Sequence, residues 1–148
     1  MEMINESCSI NSKEPLMEFS SIEQAKEVLK EWKKRLFLDD WTIKVELVNP
    51  HEISGFAGTT NLEFALKSAL IKIIIPDEDA KNRIMKFCAE KTLVHELLHC
   101  KYNILETEHD KYESVYLGVQ QHMLLEQMAK SLIMAKYNLD FDWFKNFN

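Results

Sequence analysis

Thr92-Leu93-Val94-His95-Glu96-Leu97-Leu98-His99 places two histidines four residues apart, with a glutamate directly after the first. On an α-helix, residues i and i+4 lie on the same face, so both imidazoles can reach one metal ion. Glu96 lies to one side of them, where it can act as a general base and take a proton from a water on that metal. This H-E-x-x-H pattern predicts a catalytic zinc site, with Zn²⁺ as the cofactor and hydrolysis of peptide bonds as the reaction.

The composition is that of an ordinary globular protein. The chain has 148 residues, of which 46% are hydrophobic and 28% are charged, enough to bury one core. Its net charge of −6, with lysines scattered among the acids, argues against a nucleic-acid partner. No apolar run reaches the roughly 18 residues of a membrane-spanning helix, and the polar N-terminus does not look like a secretion signal. Cys8, Cys88 and Cys100 show no C-x-x-C spacing, so we expect reduced thiols and a cytoplasmic protein.

The chain divides into an arm and one domain. Residues 1–19 are polar and show little periodicity, which predicts a flexible N-terminal arm. Residues 20–148 predict a single domain that begins with a helix capped by Ser20 or Ser21. Apolar residues recur in that helix at helical spacing, namely Ile22, Ala25, Val28, Leu29, Trp32 and Leu36.

Three stretches after the first helix predict strands. Residues 41–47 alternate between apolar and polar side chains, as in a half-buried strand. Gly55 and Gly58 predict a turn or bulge, with residues 59–64 as a short strand. Residues 69–75 are rich in β-branched side chains and predict a stronger strand. In zinc peptidases an edge strand commonly pairs with extended substrate, and residues 69–75 fit such a role. The alternative, a core strand, is compatible with that role.

Two long helices follow the predicted strands. The first is expected from about residue 79 to 102, with the metal motif near its end and an apolar face made of Ile84, Phe87, Val94, Leu97 and Leu98. The second is expected from about residue 110 to 136. This order predicts an α+β fold in which a small mixed or antiparallel sheet packs against the motif helix. The aromatic residues beyond the second helix predict a packed end or a partner contact, and they are Phe141, Trp143, Phe144 and Phe147.

The third metal ligand is the open question, because a catalytic zinc ion usually takes three protein ligands and leaves the fourth position for water. The longer H-E-x-x-H-x-x-G-x-x-H motif is absent, since Tyr102 and Leu105 replace its glycine and third histidine. His122 lies at the edge of the apolar face of the second predicted helix and is the leading candidate. Glu126, one turn later, is the alternative.

Two weaker candidates precede them. His109 begins a run that resembles the H-G-x-x-F pattern of SprT-like peptidases. Glu113 lies on a side of the second predicted helix from which a ligand could face the metal. Glu126 begins an E-x-x-A run that resembles the glutamate-helix pattern of gluzincins.

Residues 40–45, 69–73 and 92–99 together resemble the small zinc metallopeptidases of bacteriophages and prophages, which are minimal zincins related to SprT-like proteins and to minigluzincins. The resemblance covers residues 20 to about 135. It implies that residues 20–148 form a zincin-like metallopeptidase domain that acts on a protein or peptide in the cytoplasm of a host cell. Members often carry acids near Gln121 and His122, and His122 would substitute for one of them as a ligand.

Functions of different classes remain open at this point. The leading one is a zinc-dependent endopeptidase with Glu96 as general base. The alternative is a non-catalytic, metal-stabilised domain that binds a partner protein through the aromatic tail. Glu96 disfavours this alternative, because a structural site has no use for a general base. Hydrolysis of a non-peptide amide, such as a cell-wall crosslink, is a third reading.

Overall fold

A mixed three-stranded sheet and three helices of 11 residues or more form the part of the chain that the computed structural model describes, residues 13–82, 86–102 and 111–147. The helices and strands are, in chain order, α1 (Ile22–Arg35), β1 (Thr42–Val48), β2 (Gly58–Glu63), β3 (Ser68–Ile74), the short α2 (Glu78–Lys81), α3 (Ala89–His99) and α4 (Lys111–Tyr137). The predicted α+β class is confirmed. In the described part, no helix combines the length and the apolar character needed to cross a membrane.

The order of the strands is β1-β3-β2, so β3 is central. It pairs in parallel with β1 and antiparallel with β2, which confirms the mixed sheet. Ile71 and Ile73 of β3 are completely buried. The core-strand alternative for residues 69–75 is therefore confirmed, and the edge-strand alternative is wrong. Within the described sheet, β2 occupies the edge that lies against α3.

The helix α1 begins as its sequence predicts. The Ser21 hydroxyl accepts a hydrogen bond of 3.1 Å from the backbone N–H of Gln24, which satisfies one of the unpaired donors of the first turn. Its apolar face is buried in the core that the sheet and α3 share, through Ala25, Val28, Leu29 and Trp32.

The predicted single helix over residues 79–102 is wrong, because the chain forms the separate helices α2 and α3. Cys88 is extended, and Lys86 forms an isolated parallel bridge with Phe147. The first amides of α3 donate to carbonyls distant in the sequence, Ala89 to Met17 at 2.9 Å and Glu90 to Leu16 at 3.1 Å. These contacts satisfy donors that every helix start leaves unpaired, so α3 can begin at Ala89.

The described part of the predicted arm packs against the rest of the protein. Pro15 is buried and Phe19 is 5% exposed. The backbone N–H of Leu16 also donates to the Glu90 carboxylate at 3.2 Å. Residues 1–12 lie outside the described residues. The segment from Pro15 to Phe19 thus helps to fix the start of the helix that carries the metal motif.

A buried carboxylate joins three helices. Glu90 is fully buried and accepts hydrogen bonds from Trp32 Nε1 at 3.0 Å, Lys136 Nζ at 3.0 Å and the Tyr137 hydroxyl at 2.6 Å. Burial and the hydrogen bond to Glu90 raise the pKa of Tyr137 to about 12. A buried charge persists only where it is paired and hydrogen-bonded in this way. The network fixes the rotation of α3 relative to α1 and α4.

The aromatic tail forms a packed end, as one of the two alternatives predicted. Trp143 stacks on Phe147 with ring centroids 4.7 Å apart, and Phe144 meets both rings edge to face. Phe144 and Phe147 are buried, whereas Phe141 is 95% exposed.

Candidate metal centre

Three histidines from two helices meet at one point. His95 and His99 lie on α3 and His122 lies on α4, and one nitrogen of each falls within 4.8 Å of the others. The ring centroids of His95 and His99 are 5.3 Å apart, and those of His95 and His122 are 4.6 Å apart. The structure therefore brings together the two motif histidines and the leading candidate for third ligand. This group could hold a metal ion.

His95 provides the clearest test of whether a metal fits. Its Nδ1 lies 2.7 Å from Glu126 Oε2, whereas its Nε2 is buried and has no hydrogen-bond partner among the described residues. A carboxylate partner at Nδ1 orients the ring of a metal-binding histidine and makes Nε2 the nitrogen that faces the metal. A buried nitrogen without a partner is costly, and a metal ion would satisfy it. The donor set therefore fits a metal.

The electrostatics keep the remaining two imidazoles in the form that binds metals. Burial, together with the neighbouring His95 and His122, lowers the pKa of His99 to about 4. Burial and His95 also lower the pKa of His122. Both rings are consequently neutral at physiological pH, and a neutral imidazole is what a metal requires.

Glu126, the alternative ligand, lies beside His95 and outside the grouped ligand atoms. Its second oxygen, Oε1, accepts from Lys91 Nζ at 2.5 Å, and Lys130 Nζ lies 4.0 Å from the same oxygen. Burial opposes ionisation of Glu126, yet the hydrogen bond with His95 and the charge of Lys91 lower its pKa to about 2. Glu126 is therefore an ionised outer partner of His95.

The side chains of the other two candidates are outside the part of the chain that the structure describes. His109 lies outside the described residues, and Glu113 lies in a part of α4 for which only the helical backbone is described.

Glu96 lies next to the histidines and is 6% exposed. Thr60 of β2 donates a hydrogen bond from Oγ1 to Glu96 Oε2. Burial raises the pKa of Glu96, although the Thr60 hydrogen bond opposes the rise. A raised pKa brings a carboxylate closer to the working pH of a group that must both accept and release a proton. The predicted position of Glu96 beside the metal ligands is consistent with this geometry.

The close approach of β2 to α3 depends on Gly58. A Cβ at this position would lie 2.8 Å from Thr92 Cγ2 and 3.2 Å from Glu96 Cγ. Only a residue without a side chain lets the strand come near enough for Thr60 to reach Glu96.

An open cleft of about 380 Å³ runs over these groups, between the segment that enters β2 and the helices α3 and α4. Phe56 lies on its lining and is 64% exposed. The cleft gives a ligand access to Glu96, His95 and His122, which also line it.

Sequence reasoning missed two of the residues that complete the site. Lys91 precedes His95 by four residues, so the i, i+4 rule that pairs His95 with His99 would have placed it on the same face. Thr60 offered no such signal, because its contact with Glu96 depends on strand pairing and on the packing of β2 against α3.

Comparison of the chain with protein-family models, with curated proteins and with solved structures finds no match in any of the three. The resemblance to phage zinc metallopeptidases stays a prediction. The function of the site must be inferred from its geometry.

Proposed function

We propose that the protein is a zinc-dependent peptidase in which His95, His99 and His122 bind the ion and Glu96 is the general base. The observation that carries the proposal is the convergence of three histidine nitrogens within 4.8 Å, beside a buried glutamate. No fourth protein ligand joins the three histidines among the described residues. Three protein ligands are typical of catalytic zinc sites, whereas structural sites are usually closed by four. The predicted cofactor Zn²⁺ suits imidazole ligands.

The chain's own residues supply the proton transfers. A zinc ion, when bound, lowers the pKa of a coordinated water towards neutrality and polarises the carbonyl that is attacked. Glu96 accepts the proton of the attacking water and passes it to the leaving amine. The Thr60 hydroxyl holds one oxygen of Glu96, which leaves the other to receive the proton. The Glu126 carboxylate holds His95 in the tautomer that binds the metal through Nε2.

The substrate that we propose is an extended segment of a protein or peptide. In the described sheet β2 pairs with β3 on one side, and its Thr60 touches Glu96. A peptide that adds to the other side of β2 through backbone hydrogen bonds would pass close to the general base. We therefore assign to β2 the substrate-pairing role that the sequence suggested for residues 69–75. Cys88 and Cys100 are free thiols, which suits the proposed cytoplasmic location.

The deciding experiment combines metal analysis with cleavage of a peptide library, followed by mass spectrometry, for wild type, Glu96→Gln and the control Glu52→Gln. Glu52 is an exposed residue of the 3-10 helix Pro50–Ile53. We expect about one zinc per chain in all three proteins, cleavage by wild type and the control, and a loss of roughly 10²–10⁴-fold in rate for Glu96→Gln, which is the contribution of a general base.

Two results would contradict the proposal. Wild-type protein that binds no zinc would remove the metal centre. Zinc binding without cleavage of any library peptide would favour the non-catalytic, metal-stabilised domain.

A further inference from the structure

A buried lysine next to the metal centre has no role in the proton transfers. Lys91 lies on α3, one helical turn before His95, and its side chain is 5% exposed. Its ammonium group contacts Glu126 Oε1 at 2.5 Å. Buried lysines are rare because the ammonium group is strongly hydrated in water. The ion pair with Glu126 offsets part of that cost.

Glu126 could serve the metal in two different ways. It lies one turn after His122 on α4, and it lines the same cleft as His95 and His122. Carboxylates are common zinc ligands, and they are also common outer partners of zinc-binding histidines. In the structure Oε2 contacts His95 Nδ1 and Oε1 contacts Lys91, so both oxygens have partners and neither is one of the grouped ligand atoms.

We propose that Lys91 is a positioning residue that holds Glu126 as the outer partner of His95 and so keeps one coordination position of the metal open. The inference rests on the metal centre of the proposed function. Without Lys91, the negative charge of Glu126 would lose its closest cation and would be drawn to the divalent ion in the same cleft. A carboxylate ligand would then fill the position that water needs.

The probe for an open position is azide, titrated into protein loaded with Co²⁺ and followed by the visible absorption of the cobalt. The test variant is Lys91→Met, which shortens the side chain by one atom and removes its charge. The matched control is Lys130→Met, because Lys130 faces the same Glu126 oxygen from 4.0 Å and is more exposed. The third protein is the double variant Lys91→Met/Glu126→Gln, whose neutral amide is a poor metal ligand.

We expect azide to bind wild type and Lys130→Met with the same affinity, within about twofold. Lys91→Met should retain Co²⁺ and bind azide at least about tenfold more weakly, a typical size for the loss of an outer-shell contact. The double variant should recover most of the azide affinity. The cobalt spectrum of Lys91→Met without azide should also differ from that of wild type, because a new carboxylate ligand changes the coordination of the ion, whereas loss of a structural ion pair alone would leave the spectrum unchanged. If Lys91→Met does not fold, Lys91→Gln makes the same comparison with a neutral amide.

Azide affinity in Lys91→Met equal to that of wild type would overturn the proposal. So would a double variant no better than the single one, because the effect would then not pass through Glu126. Wild type that takes up no Co²⁺ would remove the metal centre and this inference with it. Co²⁺ binding with the expected azide pattern but without any peptide cleavage would refute the peptidase while leaving the role of Lys91 intact.

Discussion

Replacing Gly58 with alanine tests whether the general base is positioned by the contact between β2 and α3. The new Cβ would lie 2.8 Å from Thr92 Cγ2 and 3.2 Å from both Glu96 Cγ and Ile73 Cδ1. Carbon atoms pack best at about 3.5–4.0 Å, so the closest pair must separate by roughly 0.7 Å or more. Thr92 and Ile73 are both buried, so neither side chain can turn away into solvent.

The expected cost is moderate. Overpacking of a well-packed interior costs about 1–3 kcal/mol, and alanine offsets roughly 0.5–1 kcal/mol of this because it restricts the unfolded chain. We expect a net loss of about 1–2 kcal/mol in the free energy of unfolding. A displacement of Glu96 approaching 1 Å would also reduce the cleavage rate by up to about 10²-fold.

Urea unfolding, followed by tryptophan fluorescence, measures the stability. Gly118→Ala is the matched control, because Gly118 lies within α4 and, apart from the backbone of its own helix, no atom of the described residues lies within 4 Å of its added Cβ. Alanine there should stabilise the protein by about 0.5–1 kcal/mol, since glycine is a poor helix former. Alanine is thus expected to lower the free energy of unfolding at position 58 and to raise it at position 118.

A second variant isolates the contact with Thr92. Thr92→Ser removes Cγ2 and retains the hydroxyl that donates to the Cys88 carbonyl at 2.9 Å. The double variant Gly58→Ala/Thr92→Ser should lose less free energy of unfolding than the sum of the two single variants, by at least about 0.5 kcal/mol. Gly58→Ala protein as stable and as active as wild type, or a double variant without any recovery, would refute the packing argument.

Further predictions concern the ligands, the buried tyrosine and the thiols. His122→Ala should lower the zinc content from about one per chain to well below one after gel filtration, whereas the exposed His51→Ala should leave it unchanged. The raised pKa of Tyr137 means that its contribution to stability is complete below its ordinary pKa near 10 and is lost as the pH rises to about 12; the alkaline fall in stability should therefore be smaller in Tyr137→Phe. Burial raises the pKa of Cys88 to about 11 and that of Cys100 to about 12, so iodoacetamide at neutral pH should modify both at least about tenfold more slowly in folded than in urea-unfolded protein.

Local patterns in the sequence were sufficient for most helices and strands. The helical spacing of apolar residues located α1 and α4, and alternation located β1. The spacing of four between His95 and His99 was sufficient to place both rings on one side of α3. The same angular reasoning on α4 brought His122 to the edge of its apolar face, which is where the structure places it beside His95.

Features that depend on distant contacts were not predictable in this way. The apolar spacing continues through Phe87, so it gave no sign that the helix breaks before Ala89. The break depends on contacts with Leu16, Met17 and Phe147, near the two ends of the chain. β3 is central because it pairs with two other strands. The sequence of one strand does not specify which strands pair with it.

The Glu90 network has a consequence for the order of folding. Its partners Leu16, Trp32 and Tyr137 lie 74, 58 and 47 positions away in the sequence. Contacts of such long range form only after large loops have closed, which slows folding. The backbone amides in the first turn of α3 should consequently exchange with solvent only through global unfolding and not through local opening. Because His95 and His99 extend from that same helix, a metal ion would meet its complete set of ligands only once the segment around Leu16 and the end of α4 have packed against α3.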